Sequence, residues 1–208
     1  MRRSSLLAAL LLAPASVHAQ APQPTPPVES TVHRHLGFFL RLDGGIGYVA
    51  SSASLAGTTG SMSGVAIPFG IAIGGAVTEN LIIAGDLWGI SAVTPKFTVG
   101  GQSATAPNSS FGLGGIGLNL TYYFMPHNVY LSVTPSLVGL TLTGAGTSSS
   151  PQTGFGAKVG LGKEWWVGDH WGIGIAAQFS LGINADTGAN PPTWTTLGGG
   201  LAFSATYN

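Results

Sequence analysis

Five histidines are the side chains of this sequence best suited to act as general bases or metal ligands: His18, His33, His35, His127 and His170. A serine nucleophile needs a base beside it in the folded protein, but the five histidines are predicted in a leader, a tail and two short turns. The serine-rich stretches 51–54 and 148–150 are therefore interpreted as solvated loops. His33 and His35 stand two residues apart with no third ligand nearby, which does not make a metal site. The sequence therefore predicts no catalytic residue, no metal site and no cofactor.

Charge is scarce in this chain. Charged residues make up 7% of the 208 positions, against about 25% in ordinary soluble domains. The formal net charge is zero, and the lack of a basic patch argues against nucleic acid as a partner. The chain contains no cysteine, so we expect neither a disulfide framework nor a lipid-modified leader cysteine.

The N-terminal region has two parts that we expect to lie outside the folded domain. Residues 1–19 have the form of a cleaved secretory signal peptide, with Arg2 and Arg3, an apolar core and small residues before the predicted cleavage site. Residues 20–36 are proline-rich and polar, which predicts an extended periplasmic tail. His33 and His35 are interpreted as solvated residues of that tail.

The remaining sequence alternates apolar and polar residues with the period of β-strands. The segment Gly64–Val77 is apolar, but its five large side chains recur at every second position, so it is a strand and not a helix. Eight such strands are predicted, at about 38–49, 64–77, 81–90, 111–124, 129–142, 155–166, 171–184 and 197–207. Parity changes at Gly114 and Gly115 and again after Leu137 predict β-bulges, with Leu140 and Leu142 facing outward.

The connections between these strands alternate between long and short. Together with 33 glycines and a mean hydropathy of +0.36, this pattern predicts an all-β fold, an eight-stranded antiparallel up-and-down transmembrane β-barrel over residues 37–208. A secreted glycine-rich β-sandwich is the alternative, and it would need a more charged outer face. The long loops, at 50–62, 91–108, 144–153 and 185–193, are expected to face the outside.

Aromatic residues collect at the rim formed by the short turns, as they do where strands cross from hydrocarbon to water. This rim is expected to be periplasmic. The predicted girdle consists of Phe38, Tyr122, Phe124, Tyr130, Trp165, Trp166, Trp171 and Tyr207.

Three motifs carry a resemblance to a known family: YYFMPHNVYLS, KEWWVGDHWGIG and the final strand LGGGLAFSATYN. The chain resembles the small eight-stranded bacterial outer-membrane barrels, of the kind represented by the OmpA membrane domain and OmpX. The resemblance implies contact with outer-membrane lipid and lipopolysaccharide, and recognition of the last strand by the barrel-assembly machinery. The chain departs from the family pattern at its end, where Tyr207 is penultimate and Asn208 is last.

Five charged residues fall on the strand faces predicted to point into the lumen: Arg41, Asp43, Asp86, Lys158 and Glu164. Because unpaired buried charges are costly, Lys158 is expected to pair with Asp86 or Asp43, and Arg41 with Glu164 or Asp43. Inward aromatic residues such as Trp88 favour a plugged barrel with a structural or surface-interaction role. Inward glycines leave open the alternative of a narrow channel or a conduit for small or hydrophobic solutes.

Overall fold

The computed structural model of this protein describes residues 34–55, 57–144, 147–151, 153–186 and 191–208. The predicted signal peptide, most of the predicted tail and His33 lie outside the described residues. Within them, no helix is long and apolar enough to cross a membrane.

Eight long strands form the wall of a closed antiparallel barrel, in which the last strand pairs with the first. The wall strands are β1 (Phe38–Leu55), β2 (Thr58–Thr78), β3 (Leu81–Val93), β6 (Ser110–Phe124), β7 (Val129–Gly144), β9 (Gly154–Trp166), β10 (Trp171–Ala185) and β11 (Thr193–Tyr207). Three short strands, β4 (Lys96–Val99), β5 (Gln102–Thr105) and β8 (Thr147–Ser149), belong to the connections. The predicted fold class is confirmed.

Exposure alternates along every wall strand, because one face looks into the lumen and the other looks outward. On β10 the outward residues Ile173, Ile175 and Phe179 are about half exposed, while the intervening Gly174 and Ala176 are buried. The outward positions form an apolar band around the barrel, which is the surface that hydrocarbon requires.

The bulges predicted in the fourth and fifth wall strands are wrong. The pairing of β6 with β3 and β7 runs without a register shift through Gly114 and Gly115. The parity of the apolar residues changes because Phe111 and Leu113 on β6, like Leu140 on β7, point into the lumen. Leu142 also packs against this inner cluster instead of facing out as predicted. The register shift that the structure does contain lies elsewhere, at residues 76–78 of β2.

The first predicted long loop is largely a continuation of the strands. β1 and β2 remain paired up to Leu55 and Thr58, and hydroxyl pairs join neighbouring strands, including Ser54 with Thr59 at 2.8 Å and Ser51 with Thr196 at 2.8 Å. Cross-strand hydroxyl contacts of this kind stabilise an antiparallel pair. The loop predicted over this serine-rich segment is therefore wrong for most of its length, because the segment is a polar extension of the wall.

The barrel ends differ, and this difference makes its orientation testable. Gln102 and Ser149 are exposed at the long-loop rim, whereas His127 and Asp169 are exposed at the short-turn rim. Since the chain has no cysteine, single cysteines at these four positions give unambiguous labelling in whole cells. An impermeant thiol reagent is expected to label the cysteines at 102 and 149 and to leave those at 127 and 169 unlabelled. The reverse pattern would mean that the barrel is inverted in the membrane.

Candidate functional site: the filled lumen

A polar layer crosses the lumen near the middle of the barrel, and Lys158 of β9 stands at its centre. The Nζ atom of Lys158 lies 3.0 Å from Oδ2 of Asp86 on β3 and 4.0 Å from Oδ2 of Asp43 on β1. All three side chains are at least 94% buried, with side-chain exposures of 6%, 0% and 2%. The structure thus brings together three of the five lumen charges predicted from the sequence.

Neutral side chains complete this layer. Thr134 donates to Asp86 at 2.9 Å and accepts a hydrogen bond from Asn119 at 2.8 Å, and Thr121 donates to Asn119 at 2.6 Å. On the other side, Nε2 of Gln178 donates to Oδ1 of Asp43 at 2.9 Å. We refer to Asp43, Asp86, Asn119, Thr134, Lys158 and Gln178 as the polar layer. Its six residues come from six of the eight wall strands, and the hydrogen bonds and ion contacts among them cross the bore.

The other two predicted charges do not form the expected ion pair. Glu164 is buried nearer the short-turn rim and accepts hydrogen bonds from three hydroxyl groups, at 2.7 Å from Thr206, 3.2 Å from Tyr123 and 3.4 Å from Ser204. The guanidinium of Arg41 instead lies 4.8 Å from the centroid of the Tyr130 ring, a cation–π arrangement. Within the described residues, no carboxylate comes within ion-pair distance of Arg41. Hydroxyl groups therefore bind Glu164, and the Tyr130 ring contacts Arg41, where ion pairs were predicted.

An apolar cluster fills the lumen between the polar layer and the long-loop rim. We call it the apolar plug: Val49, Met62, Ala66, Trp88, Ile90, Ala92, Phe111, Leu113, Val138 and Leu140. Trp88 joins the plug to polar groups below it, since its Nε1 donates to Oγ of Ser136 at 2.9 Å. Phe97 and Trp194 pack against the plug from the long-loop side.

Glycines on neighbouring and opposing strands provide the space that these large side chains occupy. A Cβ atom at Gly115 would lie 2.8 Å from the Trp88 ring, and one at Gly182 would lie 2.7 Å from Leu113. The pocket beside Trp88, Lys158 and Ser180 has a volume of only about 10 Å³. The inward glycines thus accommodate a side chain of the adjacent strand at Gly115 and one from across the bore at Gly182, and little free volume is left at this level.

His35 closes the lumen at the short-turn rim, which contradicts the prediction that it is a solvated tail residue. Its side chain is fully buried and stacks on Tyr123, with ring centroids 3.5 Å apart. Its Nε2 lies 2.7 Å from Oδ1 of Asn128, and its backbone N–H donates to Oδ1 of Asn80 at 3.3 Å. Both asparagines adopt left-handed backbone conformations in short turns, which asparagine tolerates better than most residues.

Two members of the predicted aromatic girdle face the interior. Tyr130 is 2% exposed and packs in the lumen against Tyr123, because it shares the parity of the inward residue Ser132. Trp166 lies 5.1 Å from the His35 ring, between ring centroids. The other predicted members are at least partly exposed on the outer face: Phe38, Tyr122, Phe124, Trp165, Trp171 and Tyr207.

The described histidines do not form a catalytic or metal-binding arrangement. His35, His127 and His170 all lie at the short-turn rim, and His170 contacts the backbone oxygen of Asn208 at 2.9 Å. Within the described residues, no group of three His, Cys, Asp or Glu side chains could hold a metal ion. Among the described residues, no histidine lies beside the serines near the long-loop rim to activate them.

The sequence analysis missed the residues that fill the lumen on either side of the polar layer: His35 toward the short-turn rim, and Phe111, Leu113 and Leu140 toward the long-loop rim. No alternation marks His35, which precedes the first strand. The inward orientation of Phe111, Leu113 and Leu140 had a usable signal, since an unbroken strand parity places them opposite the outward Ile116 and Leu137. The predicted β-bulges reversed this parity and so placed these residues on the wrong face.

The balance of charge in the polar layer makes Lys158 sensitive to substitution. Lys158→Met keeps the length of the side chain and leaves two buried carboxylates without a cation, so we expect a loss of about 3 kcal/mol in the free energy of unfolding. Urea denaturation of the barrel in phospholipid vesicles measures this loss. Lys163→Met is the matched control on the same strand, because its ammonium lies at the water interface and bonds the backbone oxygen of His127. Equal stability of the two variants would contradict the ionic role of Lys158.

Comparison with solved structures gives the same architecture. The chain aligns with Neisserial surface protein A at a TM-score of 0.59 and 21% identity, over 82% of this chain and 96% of that one. It aligns with the outer membrane protein OprG from Pseudomonas aeruginosa at a TM-score of 0.52 and 13% identity, over 85% and 99%. No protein-family model and no curated protein matches the sequence. The chain therefore has the fold of these proteins, an eight-stranded antiparallel β-barrel of the small bacterial outer-membrane type.

Proposed function

We propose that this protein is an outer-membrane barrel with a structural or surface-interaction role and without catalytic activity. The observation that carries the proposal is the filled lumen. The His35 cap, the polar layer and the apolar plug lie one after another along the bore. An eight-stranded barrel is about wide enough for side chains to fill. A barrel filled in this way acts as a rigid membrane anchor for whatever its rims present.

The long-loop rim supports the interaction role. β5 pairs with β4 and forms the end of the strand order, and all of its residues are exposed. An unpaired strand edge offers backbone N–H and C=O groups to an extended peptide. The four residues of this edge, Gln102–Thr105, include neither a charge nor a proline that would discourage such pairing. A partner at this rim would be recognised by backbone and hydroxyl hydrogen bonds.

The outer face and the last strand support the remaining expectations about partners. The exposed apolar band of the outer face suits contact with outer-membrane lipid and lipopolysaccharide. β11 presents Leu197, Leu201 and Phe203 outward and closes the barrel by pairing with β1. Closure by the C-terminal strand fits the proposal that the barrel-assembly machinery recognises this strand.

The alternative function, a narrow channel or a solute conduit, has less support because it requires a continuous free path. The apolar plug occupies the outer half of the bore, and polar solutes would lose hydration there without gaining hydrogen bonds. Hydrophobic solutes would meet the buried charges of the polar layer. Neither class of solute has a complementary path through both layers.

Conductance separates the two functions. The refolded protein in planar bilayers is expected to give no current steps above baseline. The triple variant His35→Gly, Trp88→Gly and Leu113→Gly removes large side chains from both the cap and the plug, so it is expected to conduct through the polar layer that remains. The matched control, Leu36→Gly with Leu87→Gly and Ile116→Gly, changes exposed neighbours of the same positions and is expected to remain closed. Current steps from the unsubstituted protein would contradict the proposal and favour the channel.

A further inference from the structure

A deep groove on the outward face of the barrel is not explained by the filled lumen. It has a volume of about 650 Å³, within the range of roughly 300–1,000 Å³ typical of small-ligand sites. Leu161, Leu201, Phe203 and Ile46 are among the residues that line it. It lies on β9, β10, β11 and β1, with Val129 of β7 at its edge, in the half of the barrel nearer the short-turn rim.

Among the outward-facing residues that line the groove, Ala177 is the one with a small side chain. Ala177 of β10 is paired with Leu161 on one side and Leu201 on the other, and all three face outward. Along its own strand, Ala177 lies between the outward residues Ile175 and Phe179. The side chain of Ala177 is too short to fill the space among these neighbours, and the large residues form the walls.

A cation lies at the end of the groove nearer the rim. Lys163 lines the groove, and within the described residues it is the one lysine or arginine on the outward parity of a wall strand. Its Nζ is 5.5 Å from the centroid of Trp165 and donates to the backbone oxygen of His127. A lysine ammonium has three donors, so further N–H groups remain for an anion at the interface.

We propose that this groove binds a glycerophospholipid, with its phosphate at Lys163 and an acyl chain along Ala177. The apolar walls of the groove are complementary to an acyl chain. The Lys163 ammonium is complementary to a phosphate, and it lies at the depth in the membrane where a lipid headgroup begins. A second copy of the barrel on the same face would bring two Lys163 ammonium groups together. The outward faces of the described strands carry no acidic side chain that would neutralise them.

Native mass spectrometry of the detergent-purified barrel with added palmitoyl-oleoyl-phosphatidylglycerol tests the site. A single retained lipid is expected for the unsubstituted protein. Ala177→Leu fills the groove and is expected to weaken retention about tenfold, since it displaces buried methylene groups. Lys163→Gln removes the charge and is expected to weaken retention about threefold, because the pair is partly exposed to water.

Two matched variants and a second lipid serve as controls. Ala157→Leu enlarges another outward alanine, one that pairs with Leu181 and Pro135 away from the groove. Arg34→Gln removes a cation from the same rim, where it pairs with Glu79 at 3.1 Å. Both controls are expected to retain the lipid as the unsubstituted protein does. Dioleoylglycerol, which lacks a phosphate, is expected to be retained about threefold more weakly, because its loss of the headgroup contact matches that of Lys163→Gln.

Several outcomes would overturn the proposal. These are no retained lipid, equal retention by Ala177→Leu and Ala157→Leu, or equal retention by Lys163→Gln and Arg34→Gln. Retention of dioleoylglycerol as strong as that of the phospholipid would refute the headgroup contact. A dimer that Ala177→Leu abolishes would assign the groove to a second copy.

Discussion

The contact between the buried ammonium of Lys158 and two carboxylates is the interaction on which the organisation of the lumen depends. A charge buried without a partner is costly, whereas a compensated group with its remaining hydrogen bonds satisfied is tolerated. Lys158, Asp86 and Asp43 come from three different wall strands and meet within 4.0 Å. A shift of one residue in any of these strands would turn its charge toward lipid. The ion contacts therefore specify the register of the strands as well as their stability.

This constraint matters because hydrophobicity alone does not define the inner face of β6 and β7. In the halves nearer the short-turn rim, aliphatic residues such as Leu118 and Leu131 face outward. In the halves nearer the long-loop rim, Phe111 and Leu140 face the lumen. The buried hydrogen bonds of Asn119 and Thr134 lie between these regions and tie both strands to Asp86. Apolar side chains can therefore fill the half of the bore nearer the long-loop rim while the strands keep a single pairing register. Glycines opposite Trp88 and Leu113 make that filling possible.

Much of the fold could be predicted from sequence because the period of two and the short turns are local signals. The eight wall strands, the outward faces of the strands other than β6 and β7, and the inward direction of Lys158, Asp86 and Asp43 follow from residue parity. The length of the β1–β2 extension could not be predicted in this way, since serine and threonine suit both loops and polar strands. His35 was misassigned because its burial comes from Tyr123, Asn128 and Asn80, which are distant in sequence and approach it only when the barrel closes. The aromatic face that Tyr130 offers Arg41 is likewise a product of tertiary structure.

The central claim is that side chains fill the bore around the polar layer and exclude solvent. Ser132 tests it most directly, because it is an inward residue of β7 that is 3% exposed, and Ser132→Cys changes the side-chain volume little. The chain has no other cysteine, so the rate of reaction with a small cationic thiol reagent reports on that site alone. We expect the folded Ser132→Cys protein to stay unmodified while Ser149→Cys at the exposed rim reacts to completion. Comparable rates at the two positions would show a solvent-filled bore and contradict the account.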